Sequence, residues 1–263
     1  MRVISLVNQK GGVGKTTTTK NLGAGLVREG KRVLLIDLDP QANLTYSLGI
    51  RPENDETLKT MYEVLKGIAT LEDAILTLDN GLKLAPAHID LSATELELTS
   101  QAGRELILKE AIRPVLKDHD YILIDCAPSL GILTLNALVA SREVFIPLQT
   151  EFLAMQGMSK LLETLDVVKQ RINHDIEVTA IIGTMYDGRK NLSSDVISTI
   201  RTHFGDRLLK TLIRSNVSLA EAPSYGKDIF TYKADSIGAE DYQALAKEVI
   251  AMECNRSDHS VNS

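Results

Sequence analysis

Tryptophan is absent from the 263 residues, phenylalanine occurs four times and cysteine twice. The core must therefore be built from Leu, Ile, Val and Ala. The two cysteines, Cys126 and Cys254, lie far apart without C-x-x-C spacing, which argues against a disulfide framework and against a zinc site. The five histidines are scattered too and suit surface or capping roles better than metal binding. No apolar run approaches the roughly 20 residues of a membrane-spanning helix. Met1-Arg2 leads straight into a short apolar run with no signal-peptide pattern, so a cytoplasmic location without membrane attachment is expected. Positive charge is in deficit as well. The formal net charge of −6 argues against coating of nucleic acid by bulk charge, so any DNA contact is expected from a local basic patch. No Pro/Gly/Ser-rich linker interrupts the pattern, and α/β chains of this length commonly form one domain. Residues 1–253 are read as that domain, with 254–263 as a polar, disordered tail.

The chain is organised around Asn8-Gln9-Lys10-Gly11-Gly12-Val13-Gly14-Lys15-Thr16-Thr17-Thr18-Thr19, which follows the apolar run Val3 to Val7 and precedes a helical pattern. Gly14-Lys15-Thr16 is the ending a phosphate-binding loop requires. Backbone N–H groups of a glycine-rich turn face phosphate oxygens, a lysine reaches the β and γ phosphates, and a hydroxyl ligates Mg²⁺. The following helix adds its free N–H groups and the positive end of its dipole.

The common pattern G-x-x-x-x-G-K-[ST] nevertheless fails, because Gln9 stands where its first glycine belongs. The glycines have moved to Gly11 and Gly12, with Lys10 just before them. This variant, K-G-G-x-x-G-K-T-T, resembles the deviant Walker A loop of the ParA/MinD family of ATPases. The resemblance implies that ATP is held by Lys10, Gly11, Gly12, Val13, Gly14, Lys15, Thr16 and Thr17, and that Lys10 crosses a dimer interface to the partner's nucleotide.

Strand and helix patterns alternate along the chain: a helix from Thr16 to Glu29 ending at Gly30, with Leu22, Leu26, Gly23 and Gly25 towards a sheet, then a strand Arg32 to Asp37. Repeated units of this kind predict a single-domain α/β P-loop fold, a mainly parallel twisted sheet with helices on both faces. Asp37 and Asp39 follow at the sheet's carboxyl edge, where ligands of open α/β folds bind. They are expected to point apart, one steadying the metal shell and the other facing the reaction. D-x-D-P-Q resembles the switch I segment of ParA-type ATPases, which implies that Asp39 activates the attacking water and joins Lys10 and Lys15 as the catalytic set. Tyr121 to Asp125 is an apolar strand ending in an acid, the Walker B arrangement, so Thr16 and Asp125 are read as the Mg²⁺ site. D-x-x-P-S, Asp125 to Ser129, resembles switch II. Cys126 is read as a small buried side chain, since no base is at hand to make it a nucleophile.

Between Asn54 and Lys117 four helical stretches are predicted: Leu58 to Leu65, Leu71 to Leu76, Leu91 to Leu98 and Gly103 to Leu116. A short strand starts at Lys83. Later come a helix Leu133 to Ala140, a strand Glu143 to Leu148, a helix from Met155 to about Arg171, a strand Val178 to Gly183, a helix Leu192 to Phe204, a strand Leu208 to Ile213, and a last helix Ala239 to Met252. Thr184-Met185-Tyr186-Asp187-Gly188-Arg189 again looks ParA-like. In Arg214 to Lys227 relatives read P-R-N-V-R-L-x-E-A-P-S-x-G-K. That likeness implies that Met185, Arg214 and Asn216 lie at the base end of ATP, although Arg214 replaces a proline, and Ser215 and Ser218 replace arginines that face DNA. Arg189, Lys190, Arg201, Arg207, Lys210 and Lys227 are the substitutes from which a DNA-binding patch could be built.

The family likeness implies an Mg²⁺-dependent ATPase that closes as an ATP-sandwiched homodimer, binds double-stranded DNA nonspecifically and is stimulated by a ParB-like protein, partitioning a chromosome or plasmid. It would then be nucleoid-associated. The alternative is a positioning ATPase for a protein assembly, a division, flagellar or chemotaxis cluster, with the same catalytic residues and no DNA binding. A metabolic P-loop enzyme that phosphorylates a small acceptor is a third reading, disfavoured by Lys10 and D-x-D-P-Q.

Overall fold

In the computed structural model the apolar run before the glycine-rich loop is β1 (Arg2–Leu6), buried throughout, and the loop opens directly into α1 (Lys15–Arg28). Residues 1–151 and 156–259 are described, without the side chains of 156, 157 and 253–259. The next elements are β2 (Val33–Leu38), α2 (Asn43–Ser47), α3 (Met61–Leu65), α4 (Leu71–Ala74), β3 (Leu76–Thr77) and β4 (Lys83–Ala85). Then come α5 (Leu91–Leu98), α6 (Ile107–Ile112), β5 (Tyr121–Cys126), α7 (Ile132–Ala140), β6 (Glu143–Gln149) and α8 (Gln156–Arg171). The chain closes with β7 (Glu177–Thr184), α9 (Asn191–Phe204), α10 (Val217–Glu221), α11 (Ile229–Lys233) and α12 (Ile237–His259).

The sheet has seven strands in the order β3-β4-β2-β5-β1-β6-β7. All neighbours are parallel except β3 and β4. Side chains alternate between faces along each strand. Leu34, Ile36, Ile122 and Ile124 therefore join the core under α3 to α9, while Leu35, Leu123, Ile4 and Leu6 join the core under α1 and α12. Asp37 and Asp125 fall on the α1 face and are register partners across β2 and β5. From β1 the chain crosses towards β2, whereas from β5 it crosses over β1 to β6. That reversal opens a crevice at the carboxyl ends of the strands, directly at the glycine-rich loop.

The single α/β domain with its mainly parallel, doubly covered sheet is as the sequence predicts, and several local readings change. Gly23 does face the sheet, since a Cβ there would lie 2.7 Å from Leu35, but a Cβ on Gly25 would lie 3.0 Å from Ala246 of α12. The first middle helix starts at Met61 because Thr60 and Glu63 form a capping box. The stretch Gly103 to Leu116 keeps only α6, and Pro114, which has no N–H to give, tightens the chain after α6 into a 3₁₀ helix over Arg113–Asp118. Leu76 belongs to β3 rather than to a helix. Leu208 to Ile213 bridges β7 at a single point, Ile181 with Leu208, and just past both segments Tyr186 bridges Arg214. It is no ladder strand because the Lys210 and Thr211 N–H groups donate to the Glu248 carboxylate of α12 at 2.7 and 2.9 Å. The last helix runs past Met252 to His259, so the expected tail begins as helix, and 260–263 lie outside the described residues. Met155, the expected start of α8, lies outside them too. Among the described residues no helix is long and apolar enough to cross a membrane.

Candidate active site

Gly14 caps α1 with φ of 89°, a left-handed conformation that L side chains avoid, so the loop turns its N–H groups inward there. Its shape is fixed from within by Asn8 Oδ1, which accepts from Lys10 N at 3.0 Å, and from outside by the Thr184 hydroxyl, which donates to the Val13 carbonyl at 2.8 Å. Lys15 is buried, its Nζ donating to the Lys10 carbonyl at 3.2 Å. Burial draws its pKa down while the Asp125 carboxylate opposes the shift. The loop borders a cavity of about 460 Å³ lined also by Asp39, Gln41, Asn43 and Pro128.

Beneath the loop the Thr16 hydroxyl donates to Asp125 at 2.7 Å, and Thr19 donates to the other oxygen of the same carboxylate at 3.2 Å. Asp125 has no exposed surface, and that burial, then the neighbouring Asp37, pushes its pKa up to about 8. Asp37 is buried as completely and pushed up to about 6 by the same cause. Its oxygens accept from Asp39 N at 3.1 Å and from Thr45 N and Oγ1 at 2.9 and 2.7 Å. Asp37 thus anchors α2 rather than facing the cavity, whereas Asp39 lines it. The two aspartates do diverge, but not through strand geometry. Residues two apart in a strand share a face; the separation arises because β2 ends at Leu38 and the chain turns into Ala42, which has φ of 51°.

Lys10 behaves differently from its neighbours. Its side chain is 42% exposed and lies 3.4 Å from Glu151 and 3.5 Å from Gln149, so its ammonium is directed along the rim and away from the Lys15 phosphate pocket. A second cavity, of about 220 Å³, shares Gly14, Thr17 and Met185 with the first and has Ile213, Leu219 and Tyr242 in its walls. Met185 sits at φ of 53°, a strained conformation for a side chain of its size. Asn216 lines this cavity and caps α10 by accepting from Ser218 N at 2.8 Å. Arg214 also borders it, but its guanidinium is committed to Asp241 at 2.5 and 2.9 Å and to Glu240 at 2.7 Å.

The six basic residues named as a DNA patch do not gather in one place. Arg189, bound to Asp187 at 2.9 Å, and Lys190 stand where α9 begins beside the strand ends, whereas Arg201 and Arg207 lie at its far end, about 20 Å away by helix rise. Lys210 follows Leu208, which bridges mid-β7, and the Lys227 carbonyl accepts from Lys20 of α1. Cys126 is buried and its thiol is pushed well up by burial, so it is a packing residue. Sequence reasoning missed Thr19, Thr45, Thr184, Tyr242 and Lys20. Thr19 and Lys20 lie about one helical turn past Thr16 on α1 and could have been found; Thr45, Thr184 and Tyr242 come from other segments.

Thr16 and Asp125 offer hard oxygen donors beside a cavity rich in backbone N–H groups, a donor set that fits Mg²⁺. Among the described residues no group of three or more His, Cys, Asp or Glu side chains could hold a metal alone.

A family model described as an AAA domain matches residues 1–178. The sporulation initiation inhibitor protein Soj of Bacillus subtilis (strain 168) is 48% identical over 252 residues, covering 95% of this chain and 98% of its own. The chromosome-partitioning ATPase Soj of Treponema pallidum (strain Nichols) is 44% identical over 256 residues, covering 97% and 99%. Among solved structures, cobyrinic acid a,c-diamide synthase from Mycobacterium smegmatis with bound ADP and magnesium superposes with a TM-score of 0.83 at 38% identity, covering 95% of this chain and 94% of that one.

Proposed function

The chain belongs to the ParA/Soj family of chromosome-partitioning ATPases, and from that premise we propose that it is a partition ATPase whose Lys10 completes the site of a second copy. ATP is its substrate and Mg²⁺ its cofactor. The triphosphate lies along Gly11 to Thr17, with Lys15 on the β and γ phosphates and the base in the smaller cavity between Met185 and Asn216. Thr16, backed by Asp125, would hold Mg²⁺, which neutralises phosphate charge as it moves to the leaving group. Asp39 takes the proton of the attacking water or orients it.

The observation that carries the reading is the direction of Lys10. Its backbone carbonyl holds Lys15 while its ammonium stands out at the rim. A cation so placed serves a nucleotide in the facing subunit, as an arginine finger does in trans, for which the scale is about 10³ to 10⁵ in rate. Hydrolysis is then negligible in the monomer and awaits closure of two ATP-bound copies. The ATP dimer binds duplex DNA nonspecifically, a ParB-like partner stimulates hydrolysis, and release from the nucleoid completes a cycle.

Binding to unrelated duplex DNA with ATP, with ADP and without nucleotide, at two salt concentrations, tests this. ATP-dependent binding that weakens with salt supports it. No binding in any state, alongside ATP-driven dimerisation, supports positioning of a protein assembly instead. One observation favours that second reading: the basic side chains are split between two ends of α9, and Arg189 and Arg214 are already ion-paired. A synthase reading requires a small acceptor, and ATP hydrolysis without one excludes it.

A further inference from the structure

Among the described residues Lys20 is the one charged member of the largest fully buried side chains, with 1% of its surface exposed. It lies one helical turn past Thr16 on α1 and borders the nucleotide cavity. Its Nζ donates to two backbone carbonyls, Ser47 at 3.3 Å and Lys227 at 3.0 Å. The Asp228 carboxylate supports its charge from a distance, while making its own hydrogen bonds to Asn80, Phe230 and Thr231. Burying an ammonium on neutral carbonyls is unfavourable. A methionine would fill the same space, so the charge has to be doing something that packing alone does not require.

What the charge joins are the ends of two cavity segments. One is α2, which follows Asp39 and is held at its start by Thr45 on Asp37. The other is the stretch after α10, which brings Pro223 to the cavity and ends at Lys227. These segments also touch directly, because a Cβ on Gly226 would lie 2.7 Å from Gly49 Cα. Neither can shift without the other, and Lys20 ties both to the helix that carries the phosphate loop.

We propose that Lys20 is a positioning residue for turnover: its ammonium holds the Asp39 segment and the 222–228 segment in one arrangement against the phosphate-loop helix. The role rests on the ATPase reading above. Lacking Lys20, the loop still binds nucleotide through its own backbone and Lys15, but the Asp39 segment and the segment bearing Lys227 are no longer held in register with the phosphate-loop helix.

The test compares Lys20→Met with the wild-type protein in two measurements, equilibrium binding of the non-hydrolysable analogue AMPPNP and steady-state ATP turnover. The expected result is a Kd within about threefold and a kcat lower by about tenfold or more. Turnover at the wild-type rate, or equal losses in affinity and rate, overturns the proposal. Should the variant not fold, hydrogen exchange on the wild-type chain decides: adding AMPPNP protects amides of 43–49 and of 223–228 together, and protection of one segment without the other refutes the coupling. A wild-type chain that neither binds nor hydrolyses ATP instead removes the ATPase reading itself, an outcome distinct from a fully active Lys20→Met.

Discussion

Stability of this protein against pH carries a signature of the buried Lys20 ammonium. Burial lowers its pKa from the ordinary 10.5 to about 8, with Asp228 opposing. Below pH 8 the lysine is protonated both folded and unfolded, so the burial cost is present in full. Between 8 and 10.5 the folded chain releases the proton while the unfolded chain keeps it, so the unfolded state binds more protons and stability rises with pH. The gap of about 2.5 corresponds to about 3 kcal/mol, of which about 2.5 kcal/mol is regained between pH 7 and pH 10. Lys20→Met lacks this recovery. Its stability at a single pH is a poor readout, because relief of the buried charge is offset by two carbonyls losing their donor, about 1–3 kcal/mol each. The pH dependence of the difference is clean, since the other alkaline groups titrate alike in both proteins. Urea unfolding of the two at pH 7 and pH 10 should show the difference moving by about 2.5 kcal/mol in favour of the wild type. A difference independent of pH refutes the buried, charged lysine, and movement in the opposite sense means that its partners raise its pKa.

Four further outcomes are expected. Asp39→Ala keeps AMPPNP-dependent dimerisation, read by size-exclusion chromatography, and loses turnover by about 10² or more; wild-type turnover would sink the proposed role. Lys10→Ala keeps nucleotide affinity within a few-fold and thermal stability unchanged, because its contact with Glu151 is solvent-exposed, while hydrolysis falls by about 10³ or more. An unchanged rate rules out action in trans. Arg2→Met at the opposite end of the sheet removes the guanidinium held by Glu143 at 2.7 Å and by the Val249 carbonyl at 2.6 Å. It should cost about 3–5 kcal/mol in urea unfolding, largely recovered in Arg2→Met/Glu143→Leu, and a single variant as stable as wild type contradicts a tightly coupled pair. Gly226→Ala, at φ of 65° and against the backbone of Gly49, should lose about 2 kcal/mol; full stability would show that this junction has room to adjust.

The sequence by itself determined whatever is written in contiguous residues. Lys10 to Thr17 spell a phosphate loop because its donors are backbone groups of one turn, and Asp125 ends a strand whose apolar run is unmistakable. Alternation of runs and helical patterns was enough for the parallel sheet, since doubly buried strands have a composition of their own. Tertiary structure alone decided what depends on meeting. Asp37 and Asp39 are two residues apart, and only Thr45, eight residues beyond the first, separates the anchor from the cavity group. Leu208 to Ile213 has a strand's composition, yet Glu248 takes two of its N–H groups. Arg189 and Lys190 are divided from Arg201 and Arg207 because α9 runs between the two pairs. Lys20 looked like one polar position of a helix; its partners, Ser47 and Lys227, come from 27 and 207 residues away. Local chemistry is legible in the order of residues, whereas burial, which sets the charge and the use of each group, is a property of the folded chain.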